Sequence, residues 1–449
     1  MTRPSPLRRS VAALAATLIA ACSDSERAPS APAARTSFER IQRDVFDRSC
    51  ATSGCHVSGS VFALQSGLVL DGASSYASLV GVRPKNAAAL ADGMWRVRPR
   101  RSDSSLLLHK LHVEATHHHA DYGSVMPLGG VPLTVGQVEY IRRWIDAGAA
   151  RAGDDLDTTL LADRTAQVDQ GFVPLAPPAV GYQLKIEQFT VAPNFERELF
   201  SYRKVGNATD VYVNRIETKM RTNSHHFIAY DLAPGTPASA VPPPDVLRDI
   251  RNADGSLNLL NMRTMPYQVF FAGAMTQVSD YRLPDGVALF VPAGASLDLN
   301  SHYVNRTGSA IPGEAYINLH TVPASQVQRV ARTLNLNNLS ISLPPHARTT
   351  LTRTFVMSQP TTVIMLTSHM HARGERFVIR IKGGARDGEV VYDNTDWAHP
   401  AIVTYTEPIV LRAGEGLTSV VTYNNATDRT ITFGLTSEDE MDIIFGYAY

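Results

Sequence analysis

The chain has 449 residues, with 42 Lys+Arg set against 42 Asp+Glu and a hydrophobic fraction of 44%. At roughly 100–200 residues per domain, this length predicts two to four domains, each able to bury a core. The balanced charge gives no field to recruit nucleic acid or an acidic membrane face, and three cysteines are too few for a disulfide framework.

Residues 1–21 read as an export signal. Arg3, Arg8 and Arg9 form a basic stretch, and Val11 to Ala21 is an apolar run too short to span a bilayer as a mature helix. It ends in Ile19-Ala20-Ala21-Cys22, which resembles a bacterial lipobox. The resemblance implies cleavage before Cys22 and lipidation there. The mature protein is then exported and held at the periplasmic face or outer membrane through that anchor alone. The alternative is an ordinary signal peptide with an incidental cysteine. Residues 22–35, rich in Ser, Ala and Pro, read as a tether.

Residues 36–150 read as a small all-α domain. Thr36-Ser37-Phe38-Glu39 is a capping box opening a helix that delivers Cys50, with Phe38, Ile41, Val45 and Phe46 as its apolar stripe. Ser102 to Leu111 reads as a second helix. Thr134-Val135-Gly136-Gln137 is another capping box, and Val138, Ile141, Trp144 and Ile145 follow at helical spacing until Gly148. Residues 151–181 form a polar, Pro-containing linker.

Within this domain stands Cys50-Ala51-Thr52-Ser53-Gly54-Cys55-His56, a C-x4-C-H run. Covalent haem c needs two thiols for its vinyl groups and an adjacent imidazole for its iron. A zinc site would need four ligands, and no second Cys pair exists; a local disulfide is the other alternative. The run, with Gly67-Leu68-Val69-Leu70, Val125-Met126-Pro127 and Trp144-Ile145-Asp146-Ala147-Gly148-Ala149, resembles the single-haem cytochrome c-like domains of exported planctomycete and myxobacterial proteins. The resemblance implies haem bound through Cys50, Cys55 and His56, with Met126 as the distal ligand. The triplet His117-His118-His119 is the competing source of that ligand.

From Tyr182 the pattern changes to short alternating runs bounded by Gly, Pro, Asn and Asp, which suggests two all-β sandwiches, 182–325 and 326–449. Three histidine clusters and a methionine lie in this half. His225 and His226 are neighbours, so on a regular strand they would diverge and they require a bulge or strand end. In Leu297-Asp298-Leu299-Asn300-Ser301-His302-Tyr303 the alternation sets Asp298, Asn300 and His302 on one face, expected to be wet. His369 and His371, two apart on a strand, point the same way and can bite one metal. Met441 is a soft donor that favours copper over zinc beside such histidines.

The His-His pair, the His-Tyr after a polar strand, the His-x-His and the Glu-Met near the end resemble, in this order, the copper type II ascorbate-dependent monooxygenases. That is the family of peptidylglycine α-hydroxylating monooxygenase and dopamine β-monooxygenase. The resemblance spans about residues 182–449. It implies two jelly-roll sandwiches and two copper ions. His225, His226 and His302 would hold the electron-transfer copper, and His369, His371 and Met441 the catalytic copper. Dioxygen binds the second copper and a substrate C–H bond is hydroxylated, with a reductant or electron-donor protein supplying electrons. Haem and copper together imply a monooxygenase whose fused haem feeds those electrons.

The chain departs from the peptide-hydroxylating members at three positions. Thr367, Ile443 and Phe445 stand where those enzymes carry Arg, Asn and Tyr to hold a peptide. The apolar Ile443 and Phe445 favour an apolar or aromatic small molecule. Arg373 or Arg376 could supply a displaced clamp. Two other classes fit the same residues: an electron-transfer or copper-handling protein without substrate, and an anchored binding scaffold.

Overall fold

The computed structural model describes residues 36–449 except 53–54, 114–121, 154–155, 169–170, 398–399 and 435–438. The signal and lipobox with Cys22, and the triplet His117 to His119, lie outside the described residues. No helix among the described residues is long and apolar enough to cross a membrane.

The first part is built from short helices: α1 (Ser37–Ile41), α2 (Val61–Ser66), α3 (Ser75–Leu79), α4 (Ala87–Ala91), α5 (Leu106–Leu111) and α6 (Val135–Asp146). Both capping boxes form, with Thr36 and Thr134 each accepting from the amide three residues on. Such caps satisfy amides that a helix start leaves without partners. The helix that delivers Cys50 is α-helical only to Ile41 and continues as a π-helix over Gln42–Cys50. The Ala51 amide at its end reaches back five residues to the Phe46 carbonyl at 2.7 Å. The predicted helix over Ser102 to Leu111 is broken in two at Ser105. The Ser105 hydroxyl donates to the Arg101 carbonyl at 2.8 Å and accepts from the Arg98 amide at 2.9 Å. A serine bound to nearby backbone in this way competes with helix continuation. Phe38, Ile41, Val45 and Phe46 pack with Val138, Ile141, Trp144 and Ile145 as one core.

The second part is mostly β-sheet and resolves into two rolls. The strands of the first are β1 (Gly181–Val191), β2 (Phe195–Lys204), β3 (Val211–Met220), β4 (Ser224–Leu232), β5 (Gln268–Ala274), β6 (Val287–Val291), β7 (Ser296–Asn305) and β8 (Ile311–Val322). Those of the second are β9 (Arg329–Asn337), β10 (Ala347–Val356), β11 (Thr361–His369), β12 (Gly374–Lys382), β13 (Val390–Asn394), β14 (Val403–Leu411), β15 (Gly416–Asn425) and β16 (Ile443–Ala448). The first roll sets β1-β8-β3-β6 against β2-β7-β4-β5, and the second sets β9-β16-β11-β14 against β10-β15-β12-β13. This repeated order is the double Greek key of a jelly roll.

The two sandwiches are not closed off from one another. The start of β9 pairs in parallel with β6, Arg329 opposite Val287 through Ala331 opposite Leu289, before β9 moves on to pair with β16. A single sheet therefore runs through both rolls, nine-stranded when the short strand Val278–Arg282, which pairs with β3, is included. Ile364, Met365 and Tyr447 of the second roll are buried in the core of the first. The Tyr447 hydroxyl donates to the Phe271 carbonyl at 2.5 Å, and the Phe270 and Phe445 rings lie 4.9 Å apart. The expected boundary at residues 325 and 326 falls in the short 3-10 turn Ala324–Gln326 ahead of β9.

Candidate functional site

The strand carrying the His-His pair is paired on both sides. β4 lies between β7 and β5, and its register against β7 slips between Ser224 and His226. This bulge lets adjacent residues turn toward the same space. His302 sits directly opposite His226 on β7. As a result one ligand atom from each of His225, His226 and His302 lies within 4.8 Å of the others.

Hydrogen bonds decide which nitrogens converge. His226 Nε2 meets the Asn300 side-chain oxygen at 2.6 Å, and His302 Nε2 meets a Glu196 carboxylate oxygen at 2.7 Å. A proton held on Nε2 leaves the lone pair of a neutral ring on Nδ1. The Nδ1 atoms of His225 and His226 are 3.3 Å apart. Three imidazoles turned inward, two of them oriented by an amide and a carboxylate, form a donor set suited to copper or zinc once each inward nitrogen carries a lone pair. Burial works to raise Glu198 next to His226, but hydrogen bonds from His226 and Asn300 and the charge on His302 outweigh it and hold the carboxyl at about 2. The expectation that Asp298, Asn300 and His302 share a face holds, but the face is not wet. Asp298 and Asn300 are buried, Asp298 being held by Arg248 and Gln268 and Asn300 by His226 and Glu198. A polar face can be buried when each group finds a partner.

The His-x-His pair lies where β11 ends. His369 closes the strand, Met370 turns into the core of the second roll, and His371 follows just beyond. The two rings sit 5.1 Å apart at 85°. The His371 amide donates to Glu440 at 2.8 Å, and His371 Nδ1 lies 3.1 Å from the Asp439 carbonyl oxygen. β11 runs antiparallel to β16 with His369 opposite Ile443. Met441 is buried two residues before Ile443, and its neighbour Glu440 is the residue that accepts from the His371 amide. Burial pushes His369 down to about 3, and charge on His371 and then His226 acts in the same direction.

Thr367 pairs with Phe445 on the same face as His369 and Ile443. The Phe445 ring lies 6.3 Å from His369 and also packs on Phe270, so it fills part of the seam. Arg376 faces away, paired with Asp393. Arg373 stays close, its amide donating to Glu440 at 2.7 Å and its guanidinium 3.5 Å from the Asp439 carbonyl.

The C-x4-C-H run and Met126 also meet. A cavity of about 290 Å³ is lined by Cys50, Cys55, His56, Phe62, Met126 and Arg306, among others. This is just under the roughly 300–1,000 Å³ typical of small-molecule sites. Both cysteines are free thiols. Burial, with Cys55 nearby, pushes the Cys50 thiol up to about 12, and burial pulls His56 below its usual range. His56 Nδ1 lies 3.0 Å from the Leu68 carbonyl oxygen. That bond fixes the tautomer and leaves the Nε2 lone pair available as a donor. Two unpaired thiols, an oriented imidazole and a thioether in one cavity fit a covalently attached haem.

Several residues of these sites carried no sequence signal: Glu196, Glu198, Trp397 and Arg306. Glu196 and Glu198 alternate along β2, and only the pairing of β2 with β7 sets Glu198 opposite His302. Trp397, from the loop after β13 in the other roll, brings its ring to 6.0 Å from His225. Arg306 reaches the cavity from the end of β7, with a guanidinium nitrogen 3.0 Å from the Cys55 sulfur.

No protein-family profile matches the chain, and no curated protein matches it. Among solved structures it is similar to the STIV MCP, at 8% identity over 60% of this chain and 96% of that one, with a TM-score of 0.26. PBCV-1 VP54, fitted into a reconstruction of the virophage Sputnik, gives 8% identity over 62% and 95%, at 0.23. The major capsid protein P2 of bacteriophage PM2 gives 6% over 57% and 97%, at 0.20. Scores this low leave the jelly-roll assignment resting on the strand order.

Proposed function

We propose that the chain is a copper-dependent monooxygenase that hydroxylates a C–H bond of an apolar or aromatic small molecule, with electrons supplied through a fused c-type haem. The observation that carries this reading is the convergence of His225, His226 and His302, which come from two strands some 76 residues apart, on one point. The chemistry of the other two donor sets supports it. When bound, copper at His369, His371 and Met441 would supply dioxygen activation, while copper at the trihistidine cluster and a haem at Cys50, Cys55 and His56 would supply one-electron storage.

The chain's own groups do the holding and shaping. Asn300 and Glu196 keep protons on His226 Nε2 and His302 Nε2, so that both rings offer Nδ1. Glu440 fixes the backbone that carries His371 and Arg373. Ile443 and Phe445 line the His369 side of the seam with apolar surface, so a substrate carboxylate would lose its hydration with little return. A lipid anchor at Cys22 would hold the whole assembly outside the cytoplasm, which suits haem attachment to thiols.

Metal and haem analysis of protein matured in a periplasm tests this reading. About two coppers per chain and covalent haem surviving denaturation are expected. Met441→Ala should deplete one copper and leave the other. Equal loss of both coppers, or no substrate-dependent oxygen uptake from the loaded protein, would remove the enzyme reading and leave a copper-handling protein.

A further inference from the structure

The helical part of the chain is fastened to the first roll by the loop that carries Met126. Met126-Pro127-Leu128-Gly129 runs from the cavity wall to the end of β7. There the Arg306 amide donates to the Gly129 carbonyl at 2.6 Å, and the Gly129 amide donates to the Asn223 side-chain oxygen at 3.1 Å. Gly129 has φ +67°, and a Cβ at this position would stand 2.3 Å from the Val304 carbonyl oxygen. Only glycine permits both the left-handed backbone and the close approach. Nearby, the Ser124 hydroxyl donates to the Ser224 carbonyl at 3.4 Å.

Both anchor points flank the trihistidine cluster. Asn223 stands two residues before His225, and Val304 two residues after His302. Asn223 itself has φ +71°, a conformation that Asn tolerates better than most residues. Arg306 completes the contact from the β7 side, with its guanidinium over the Phe62 ring at 5.7 Å and against the Cys55 sulfur. Domains joined by a linker move relative to one another unless something holds them. Here a backbone-to-backbone contact fixes the loop of the proposed distal ligand onto the ends of the two strands that present the histidines.

We infer that Gly129, Asn223 and Arg306 form a docking latch through which single electrons pass from the thiol–imidazole cavity to the trihistidine cluster within one chain. This inference rests on the haem and copper reading above. With haem held by Cys50, Cys55 and His56, the cavity would supply one electron, and copper held by His225, His226 and His302 would accept it. No bond or proton moves, and an external one-electron reductant resets the cavity. The three latch residues are positioning residues, since they fix the distance and orientation of the two sites.

The test uses the full holoprotein with its haem reduced by substoichiometric dithionite. Haem oxidation is followed by absorbance, and loss of the cupric signal by rapid-freeze electron paramagnetic resonance. The expected wild-type decay is first order and independent of protein concentration. Asn223→Gly keeps the positive φ and removes only the side-chain acceptor. It should slow the transfer by roughly tenfold or more, because orientation is what the latch supplies, while covalent haem, the Met–iron absorbance and copper content stay unchanged. Gly129→Ala should slow it at least as much. A wild-type rate that rises with protein concentration, or a rate unaltered in Asn223→Gly, overturns the latch alone. A wild-type chain with no covalent haem or no cupric signal overturns the underlying reading and the latch with it.

Discussion

The chemistry of the trihistidine cluster is set by single hydrogen bonds behind the rings. His226 and His302 each have one nitrogen occupied, by Asn300 and Glu196 respectively. Losing such a partner frees the ring to rotate or change tautomer, and typically costs about 10–100-fold in metal affinity. Asn300→Ala and Glu196→Ala should therefore each weaken copper binding at this cluster by that order, measured by competition with a chromophoric chelator. Copper at His369, His371 and Met441 should be retained in both. An affinity within about twofold of wild type would mean that the ring orientations are fixed by packing alone. Asn300 was legible as a polar residue on the His302 face, but its role was not. Alternation along a strand gives the face and leaves open what covers it.

Helix α6 shows how an element legible in the sequence carries its own pH dependence. Its capping box and apolar stripe are both visible in the sequence and both form. On its outer face Glu139 accepts from Arg142 and Arg143, and those hydrogen bonds, led by Arg142, hold its carboxyl at about 2. A carboxyl depressed in the folded state adds stability that is present above its unfolded value near 4.5 and lost as pH falls toward 2. The pairs are partly solvated, so the contribution is about 0.3–1 kcal/mol. Glu139→Gln should lower the melting temperature slightly at pH 7 and leave it unchanged near pH 2. A difference of equal size at both pH values would show that packing of the side chain, and not its charge, is responsible. The break at Ser105 was not legible, because the hydroxyl's partners, Arg98 and Arg101, come together only once the chain has turned there.

At the scale of the whole molecule, the continuous sheet through β6 and β9 and the shared core at the seam predict one cooperative unit over both rolls. Tyr447 ties them by its hydroxyl to the Phe271 carbonyl and to Tyr281, and Phe445 by its ring to Phe270. Tyr447→Phe should cost about 1–3 kcal/mol through the buried acceptor left without its donor, and Phe445→Ala about 3 kcal/mol through lost burial and a cavity. Both should move a single denaturant midpoint, with tryptophan fluorescence and near-ultraviolet circular dichroism coinciding. Two transitions in the wild type would show that the rolls fold separately despite the shared sheet.

The sequence by itself determined the local grammar of this protein. Caps, periodicity and turn residues marked a helical part followed by paired sandwiches, and donor residues such as Cys50, His56, His225, His302 and His371 stood out by type and spacing. These signals are local, because a cap, a strand face or a C-x4-C-H run is specified within a few residues. Tertiary structure decided which strands are neighbours, and so which carboxylates stand behind which histidines and which face of β7 is covered. It also decided that the two rolls share a sheet, and that Gly129 rests on Val304 while Arg306 reaches Cys55 across 251 positions of sequence. Such contacts depend on strand order and on the space left between packed backbones, and neither is encoded in any one stretch of the chain.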